Sequence, residues 1–144
     1  MRKLLHNVAP ALLVLLFTYA AASKLINPVS ARHEMHNQHF PPEVADVLWL
    51  GVPLFELVAA AMMLLNEKWQ ERGLLLSSIL MTVFTGYIAL VLLGFWDRVP
   101  CSCGGVLKNM SWKTHFIFNL FFLAISTTAW YQRYKGKAEN LRKE

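Results

Sequence analysis

The sequence predicts an all-α membrane protein, a single domain (residues 1–144) built as an antiparallel bundle of four transmembrane helices. Hydrophobic residues make up 56% of the chain and charged residues only 16%, and the mean hydropathy is +0.38. Such values are typical of a membrane protein. Four apolar runs, at about residues 8–26, 44–65, 73–96 and 112–131, are long enough, or nearly so, to cross a bilayer. Runs of this length must be helical, because a helix satisfies its own backbone groups in lipid.

Lysine and arginine are concentrated at one end of the predicted helices. With the N-terminus in the cytoplasm, that side carries nine of these residues and the other side carries five. The nine are Arg2, Lys3, Lys68, Arg72, Arg133, Lys135, Lys137, Arg142 and Lys143, and the five are Lys24, Arg32, Arg98, Lys108 and Lys113. The positive-inside rule places both termini, with the basic tail at 132–144, in the cytoplasm. We expect an inner-membrane protein with no nucleic-acid partner.

The first helix also resembles a secretory signal. Arg2 and Lys3 precede an apolar core, and Ala20 to Ala22 have the small side chains of a cleavage site. We expect the helix to be retained, because Lys24 needs a partner within the membrane and the intact helix offers one.

Lys24 and Glu56 are ionisable residues at predicted membrane depth. Lys24 lies near the end of the first helix, and Glu56 lies near the middle of the second helix, which runs in the opposite direction. Side chains lean toward the N-terminus of their own helix, so these two lean toward each other. Such residues usually pair inside the bundle. Two alternatives stay open: Lys24 extends outward to the interface, or Glu56 handles protons or faces a quinone.

The connection between the first two helices is rich in histidine. Residues 29–38 predict a short helix on the membrane surface, and the segment contains His33, His36 and His39. The first two share a helical face and the third does not. The string His-Glu-x-His also lacks the spacing of the zinc proteases. We expect interfacial histidines and no metal site.

The third helix is predicted to follow a short polar turn at 66–72. It carries Thr82, Thr85, Gly86 and Tyr87, and small or hydroxylated residues of this kind favour close packing of membrane helices.

Both cysteines, Cys101 and Cys103, lie in the loop between the third and fourth helices. Pro100 and the glycines at 104–105 permit the sharp bend that a bridge between them requires. A bridge that closes so small a ring is a redox candidate, since strained and exposed disulfides exchange readily. A static bridge, inert thiols and a metal site are the alternatives, although two cysteines cannot fill a zinc site alone. The predicted orientation exposes this loop to the periplasm, where disulfides persist.

The start of the fourth helix can act on these thiols. Asn109 or Ser111 is the predicted N-cap, and the partial positive charge of a helix N-terminus stabilises a nearby thiolate. His115 lies one turn into the helix and is a candidate proton donor to the thiols, with an interfacial role as the alternative. Asn119 lies one turn deeper.

Several segments of the chain resemble the MauE/DoxX group of redox-associated membrane proteins. They are Ser23-Lys24-Leu25, Pro53-x-x-Glu56-Leu57, Phe84-Thr85-Gly86-Tyr87 and, above all, Cys101-x-Cys103-Gly104-Gly105 followed by Ser111-Trp112. The likeness covers about residues 12–129, and its Cys-x-Cys-Gly element is the most specific part. The histidines at 33–39 depart from the pattern.

The resemblance implies a four-helix bundle associated with thiol chemistry of the cell envelope. MauE-like proteins are linked to the maturation of a disulfide-rich dehydrogenase alongside thioredoxin-like partners, and DoxX-like relatives to quinone-coupled sulfur oxidation. Carried over to this chain, Cys101 and Cys103 become the redox pair, and Lys24 and Glu56 become the polar membrane positions. Tyr87 and Asn119 are further candidates for binding a cofactor, for which a quinone is the expected class.

Two functions follow as hypotheses. In the first, the cysteine pair exchanges with a thioredoxin-like or other envelope protein and passes electrons to a quinone. Four-helix disulfide-generating enzymes relay electrons between two cysteine pairs, whereas this chain has one. In the second, the protein is a non-catalytic scaffold subunit of a larger envelope complex, and Cys101–Cys103 is a structural bridge. Whether the protein is an enzyme stays open.

Overall fold

The computed structural model describes residues 2–97 and 111–142, with side chains from residue 6 onward. Over these residues the all-α prediction is confirmed. The five helices are α1 (Arg2–Ile26), α2 (Pro28–His36), α3 (Pro42–Leu64), α4 (Glu67–Leu92) and α5 (Trp112–Leu141). The short α2 is the predicted surface helix, and Pro28 occupies its first turn, where a missing N–H costs no hydrogen bond.

Three of the described helices are long and apolar enough to cross a membrane. These spans are His6–Ile26, Pro42–Leu64 and Glu67–Leu92. Helix α5 falls outside this set, because polar residues such as His115, Asn119 and Ser126 dilute its apolar stretch. The described chain is thus that of a multi-pass membrane protein with three apolar spans, and a fourth crossing by α5 stays a prediction.

The four long helices pack side by side around a shared core. Helix α1 lies against α3 and α5, and α4 lies against the same two helices. The buried cluster at their centre is Ala9, Leu13, Phe17, Ala59, Ala60, Met63, Leu74, Met81 and Ala129. Alanine is frequent in this cluster, and small residues let helix backbones approach closely in a membrane.

The bundle has two ends that differ in composition. The tail end contains the start of α1, the α3–α4 turn and the end of α5; the loop end contains α2 and both flanks of segment 98–110. At the tail end, Arg133 Nη2 donates to the carbonyl oxygen of His6 at 3.0 Å, and Lys137 Nζ lies 3.3 Å from Glu71 Oε2. Arg133 and Lys137 both lie beyond residue 131, where the last helix was predicted to end. That prediction is wrong, because α5 continues to Leu141.

The start and end of α4 also differ from the prediction. The polar turn predicted at 66–72 is wrong, because α4 begins at Glu67. Asn66 caps the helix: its side-chain oxygen accepts a hydrogen bond from the backbone N–H of Trp69 at 3.3 Å. The helix ends at Leu92 rather than near residue 96, and Gly94 follows with a φ of 69°. Glycine adopts this left-handed conformation without strain, which favours helix termination there.

Gly73 marks a close approach of α4 to α3. A Cβ at this position would lie 2.8 Å from Met63 Cγ, 3.0 Å from the Met63 nitrogen and 3.1 Å from the Ala59 oxygen. Two of these three atoms belong to the backbone and cannot move without shifting the helix. The absence of a side chain at Gly73 therefore permits the close packing of α3 and α4 near the tail end.

We expect Gly73→Ala to lower the free energy of unfolding by about 1–3 kcal/mol, the usual cost of overpacking a tight contact. Gly86→Ala is the matched control, since Gly86 lies in the same helix and has open space where its Cβ would be. Thermal unfolding of both purified variants in the same detergent measures the difference. Equal unfolding temperatures would contradict the close approach at Gly73.

Candidate functional site

Lys24 and Glu56 form the ion pair that the sequence predicts. Lys24 Nζ lies 3.0 Å from each carboxylate oxygen of Glu56, and it also donates to the Ala20 carbonyl oxygen at 3.3 Å. The Glu56 side chain is 3% exposed and that of Lys24 is 17% exposed. The outward orientation considered for Lys24 is therefore not adopted. Two opposite charges at bonding distance leave this buried site locally neutral.

A cavity of about 290 Å³ lies beside this pair, in the loop-end half of the bundle. All five helices or their connections contribute to its wall, which is mostly apolar and aromatic. Phe17 and Met81, both members of the buried core, line it toward the tail end. Such a chamber, apolar with a few polar groups, is the usual form of a small-molecule site.

The polar residues that the sequence singled out within the membrane helices meet at this cavity. Lys24, Glu56, Tyr87, His115 and Asn119 all line it, although they come from four different helices. Helix periodicity assigns each residue to a face, but only the packing brings the four faces together.

Among these polar side chains, Tyr87 and His115 differ in their hydrogen bonding. The Tyr87 hydroxyl donates to Gln38 Oε1 at 2.7 Å, and Asn119 is 6% exposed. His115 Nδ1 is buried and has no hydrogen-bond partner among the described residues. An unpaired buried nitrogen is costly, so this atom is available to a ligand or to a water molecule.

The connection from α2 to α3 covers the cavity at the loop end. Met35, Gln38 and Phe40 line the chamber from this side. Phe40 stacks on Tyr87 with ring centroids 5.4 Å apart, so the cover is fixed to α4 by an aromatic contact as well as by the hydrogen bond of Gln38. Sequence reasoning missed Gln38 and Phe40, because a lone amide and a lone aromatic residue before two prolines form no periodic pattern.

The three histidines of the first connection do not converge on one point. His33 is exposed. His36 Nε2 lies 2.8 Å from Asp46 Oδ1, which also pairs with Arg32 Nη2 at 2.8 Å. The His39 ring stacks on Trp96 with centroids 4.6 Å apart. In the described ranges no cluster of three or more metal-ligating side chains occurs.

Cys101 and Cys103 lie outside the described residues, within 98–110. The residues on both sides of this segment contact the cavity or its wall. Trp96 packs against Tyr87 with ring centroids 5.6 Å apart, and Trp112 lines the chamber. Ser111 is confirmed as the N-cap of α5, since its Oγ accepts from the Thr114 N–H at 3.2 Å. The described residues on either side of the cysteine-bearing segment therefore lie at the cavity or against a residue that lines it.

Comparison with known proteins gives one family. No curated protein and no solved structure matches the chain significantly. The model of the family described as methylamine utilisation protein MauE matches residues 1–132. This match covers all three apolar spans, every cavity-lining residue and both cysteines, and the chain therefore belongs to the MauE family.

Proposed function

We propose that this MauE-family protein is a membrane thiol–disulfide redox protein whose Cys101 and Cys103 cycle between a dithiol and a disulfide. One observation carries the proposal: the polar membrane residues converge on a single cavity, and the described flanks of the cysteine-bearing segment lie close to it. Trp112 lines the cavity, and Trp96 packs against the lining residue Tyr87.

The proposed cycle has two steps: a thiol–disulfide exchange with a partner protein and the reoxidation of the Cys101–Cys103 dithiol. A thioredoxin-like or other envelope protein attacks the Cys101–Cys103 disulfide and forms a mixed disulfide. Its second thiol resolves this intermediate, so that the partner becomes oxidised and the Cys101–Cys103 pair becomes a dithiol. Reoxidation of the dithiol to the disulfide needs an acceptor of two electrons and two protons. A quinone held at His115 and Asn119 would supply this chemistry and would leave as the quinol.

The cavity suits a neutral ring of this class. Its volume of about 290 Å³ exceeds the roughly 150 Å³ of an engineered apolar cavity that holds benzene. Lys24 neutralises Glu56 within it, so this ion pair adds no net charge to the wall. His115 and Asn119 supply hydrogen-bonding groups for a carbonyl or hydroxyl, and His115 is the residue to which we assign proton transfer.

The proposed topology follows from the same arrangement. A fourth crossing by α5 would put both termini on one side of the membrane, and the positive-inside rule assigns that side to the cytoplasm. The loop end would then lie at the periplasmic face of the inner membrane. The cysteines are then exposed in an oxidising compartment, where a disulfide persists until a partner reduces it.

The test is the reduction potential of the cysteine pair, measured in detergent by thiol trapping across a glutathione series. We expect a midpoint between about −120 and −200 mV, the range of oxidising catalysts. The double variant Cys101→Ser/Cys103→Ser provides the unlabelled baseline. A midpoint below about −300 mV, or thiols that never oxidise, would leave the pair structural or idle and would make the scaffold hypothesis the better one.

A further inference from the structure

The cavity is not closed to the surroundings of the bundle. Val83 of α4 lines it and is nevertheless 61% exposed. This residue lies well inside the apolar span Glu67–Leu92, so the medium that it faces is the bilayer. The chamber therefore has an opening at membrane depth.

Helices α3 and α4 both contribute to the wall of the cavity near Val83. Near the tail end the two helices approach closely at Gly73 and Met63. Toward the loop end, Val52 of α3 and Val83 of α4 both line the cavity. On the loop-end side of the tight contact, the cavity is therefore bordered by an aliphatic side chain from each of the two helices.

Access from water is obstructed at the described part of the loop end. Gln38 and Phe40 cover the chamber there, and both are fixed to Tyr87. A molecule that arrives from water would have to displace this cover and then cross an apolar wall. A molecule dissolved in the bilayer meets the exposed aliphatic side chain of Val83 instead.

We propose that the cavity takes a lipid-soluble molecule that enters from the bilayer between α3 and α4. Its hydrogen-bonding headgroup reaches His115 and Asn119, and its apolar tail stays in the opening at Val83. The headgroup satisfies the buried Nδ1 of His115, which has no partner in the described chain. The inference rests on the proposed function only in its choice of a quinone as headgroup.

The experiment compares two tryptophan substitutions on one face of α4. Val83→Trp fills the opening, whereas Ile79→Trp adds the same side chain one turn away, at a residue that is 52% exposed and does not line the cavity. Both are made in the Cys101→Ser/Cys103→Ser background, so that no thiol reacts with the probe. The probe is a fully ring-substituted benzoquinone with a decyl tail, and the readout is the rise in Tm of the full chain in neutral-lipid nanodiscs.

We expect the parent and Ile79→Trp to bind the probe equally, and Val83→Trp to weaken binding about tenfold or more. The same ring without the tail should bind the parent more weakly. Val83→Phe replaces Val83→Trp if the larger side chain prevents folding, which the Tm without probe reveals.

Three results would overturn the inference. Unchanged binding by the Val83 variants would exclude access past this residue. Loss of binding in Tyr19→Trp but not in Val83→Trp would move the opening to α1, where Tyr19 also lines the cavity and is 51% exposed. A parent that gives no Tm response would exclude the ligand class. The reduction potential of the cysteine pair is measured separately, so the redox proposal stands or fails independently.

Discussion

Lys24→Met is expected to lower the free energy of unfolding by about 3–5 kcal/mol, the usual cost of removing one partner of a buried ion pair. Methionine keeps most of the lysine stem and removes only the ammonium group. Glu56, with 3% of its side chain exposed, then loses the cation that compensates its burial. Denaturant unfolding in detergent, followed by circular dichroism, measures the loss.

Two further variants test whether the loss of stability arises from the uncompensated charge of Glu56. The double variant Lys24→Met/Glu56→Leu should recover most of the stability, because a buried pair is often replaceable by apolar residues of similar size. Asp46→Asn changes an exposed pair, in which Asp46 and Arg32 are 43% and 57% exposed, and it should alter stability little. If Lys24→Met unfolds like the parent while its quinone binding falls, the pair serves the ligand rather than the fold.

Replacing one cysteine is expected to convert a transient exchange into a stable covalent complex. The remaining thiol can still attack the disulfide of an oxidised partner, which is the reverse of the proposed exchange. The second thiol of this protein, which would release the partner as a dithiol, is then absent, so the mixed disulfide decays only by reversal and accumulates. In membranes, Cys103→Ser or Cys101→Ser should show a discrete cross-linked species that the parent shows only faintly or not at all. Non-reducing electrophoresis after acid quenching and thiol blocking detects it, and mass spectrometry identifies the partner.

The two single variants also report which cysteine forms the mixed disulfide with the partner. The variant that retains this cysteine should accumulate the complex, and the other should not. The double serine variant should give no complex, and the reductant-treated sample should lose the species. Absence of a complex from both single variants, together with full cellular function, would favour the scaffold hypothesis.

The sequence identified most of the polar side chains of the site, but not the cavity in which they meet or the residues that cover it. Lys24, Glu56, Tyr87, His115 and Asn119 were conspicuous because polar residues are rare and costly within apolar helices. The pairing of Lys24 with Glu56 was predictable as well, since two antiparallel helices bring residues at similar depth together. Gln38 and Phe40 gave no such signal, because their role depends on how the connection folds over the chamber.

The helix boundaries were also only partly predictable from the sequence. The apolar cores of the helices follow from local composition, but α4 begins six residues before the predicted start, where Asn66 caps it. Helix α5 continues through polar residues to Leu141, and the contacts of Arg133 and Lys137 with α1 and α4 lie along this extension. A composition-based boundary cannot anticipate a cap or a contact with a distant residue.

The sequence by itself determined that this is a helical membrane protein, because length, hydropathy and backbone hydrogen bonding in lipid are local constraints. Only the tertiary structure decided that the polar residues share one chamber and that a connection covers it. Helices α3 and α4 pack closely at Gly73 and Met63 near the tail end, and toward the loop end the cavity is lined by residues from all five helices or their connections. Such a space depends on residues far apart in the chain, and no local pattern encodes it.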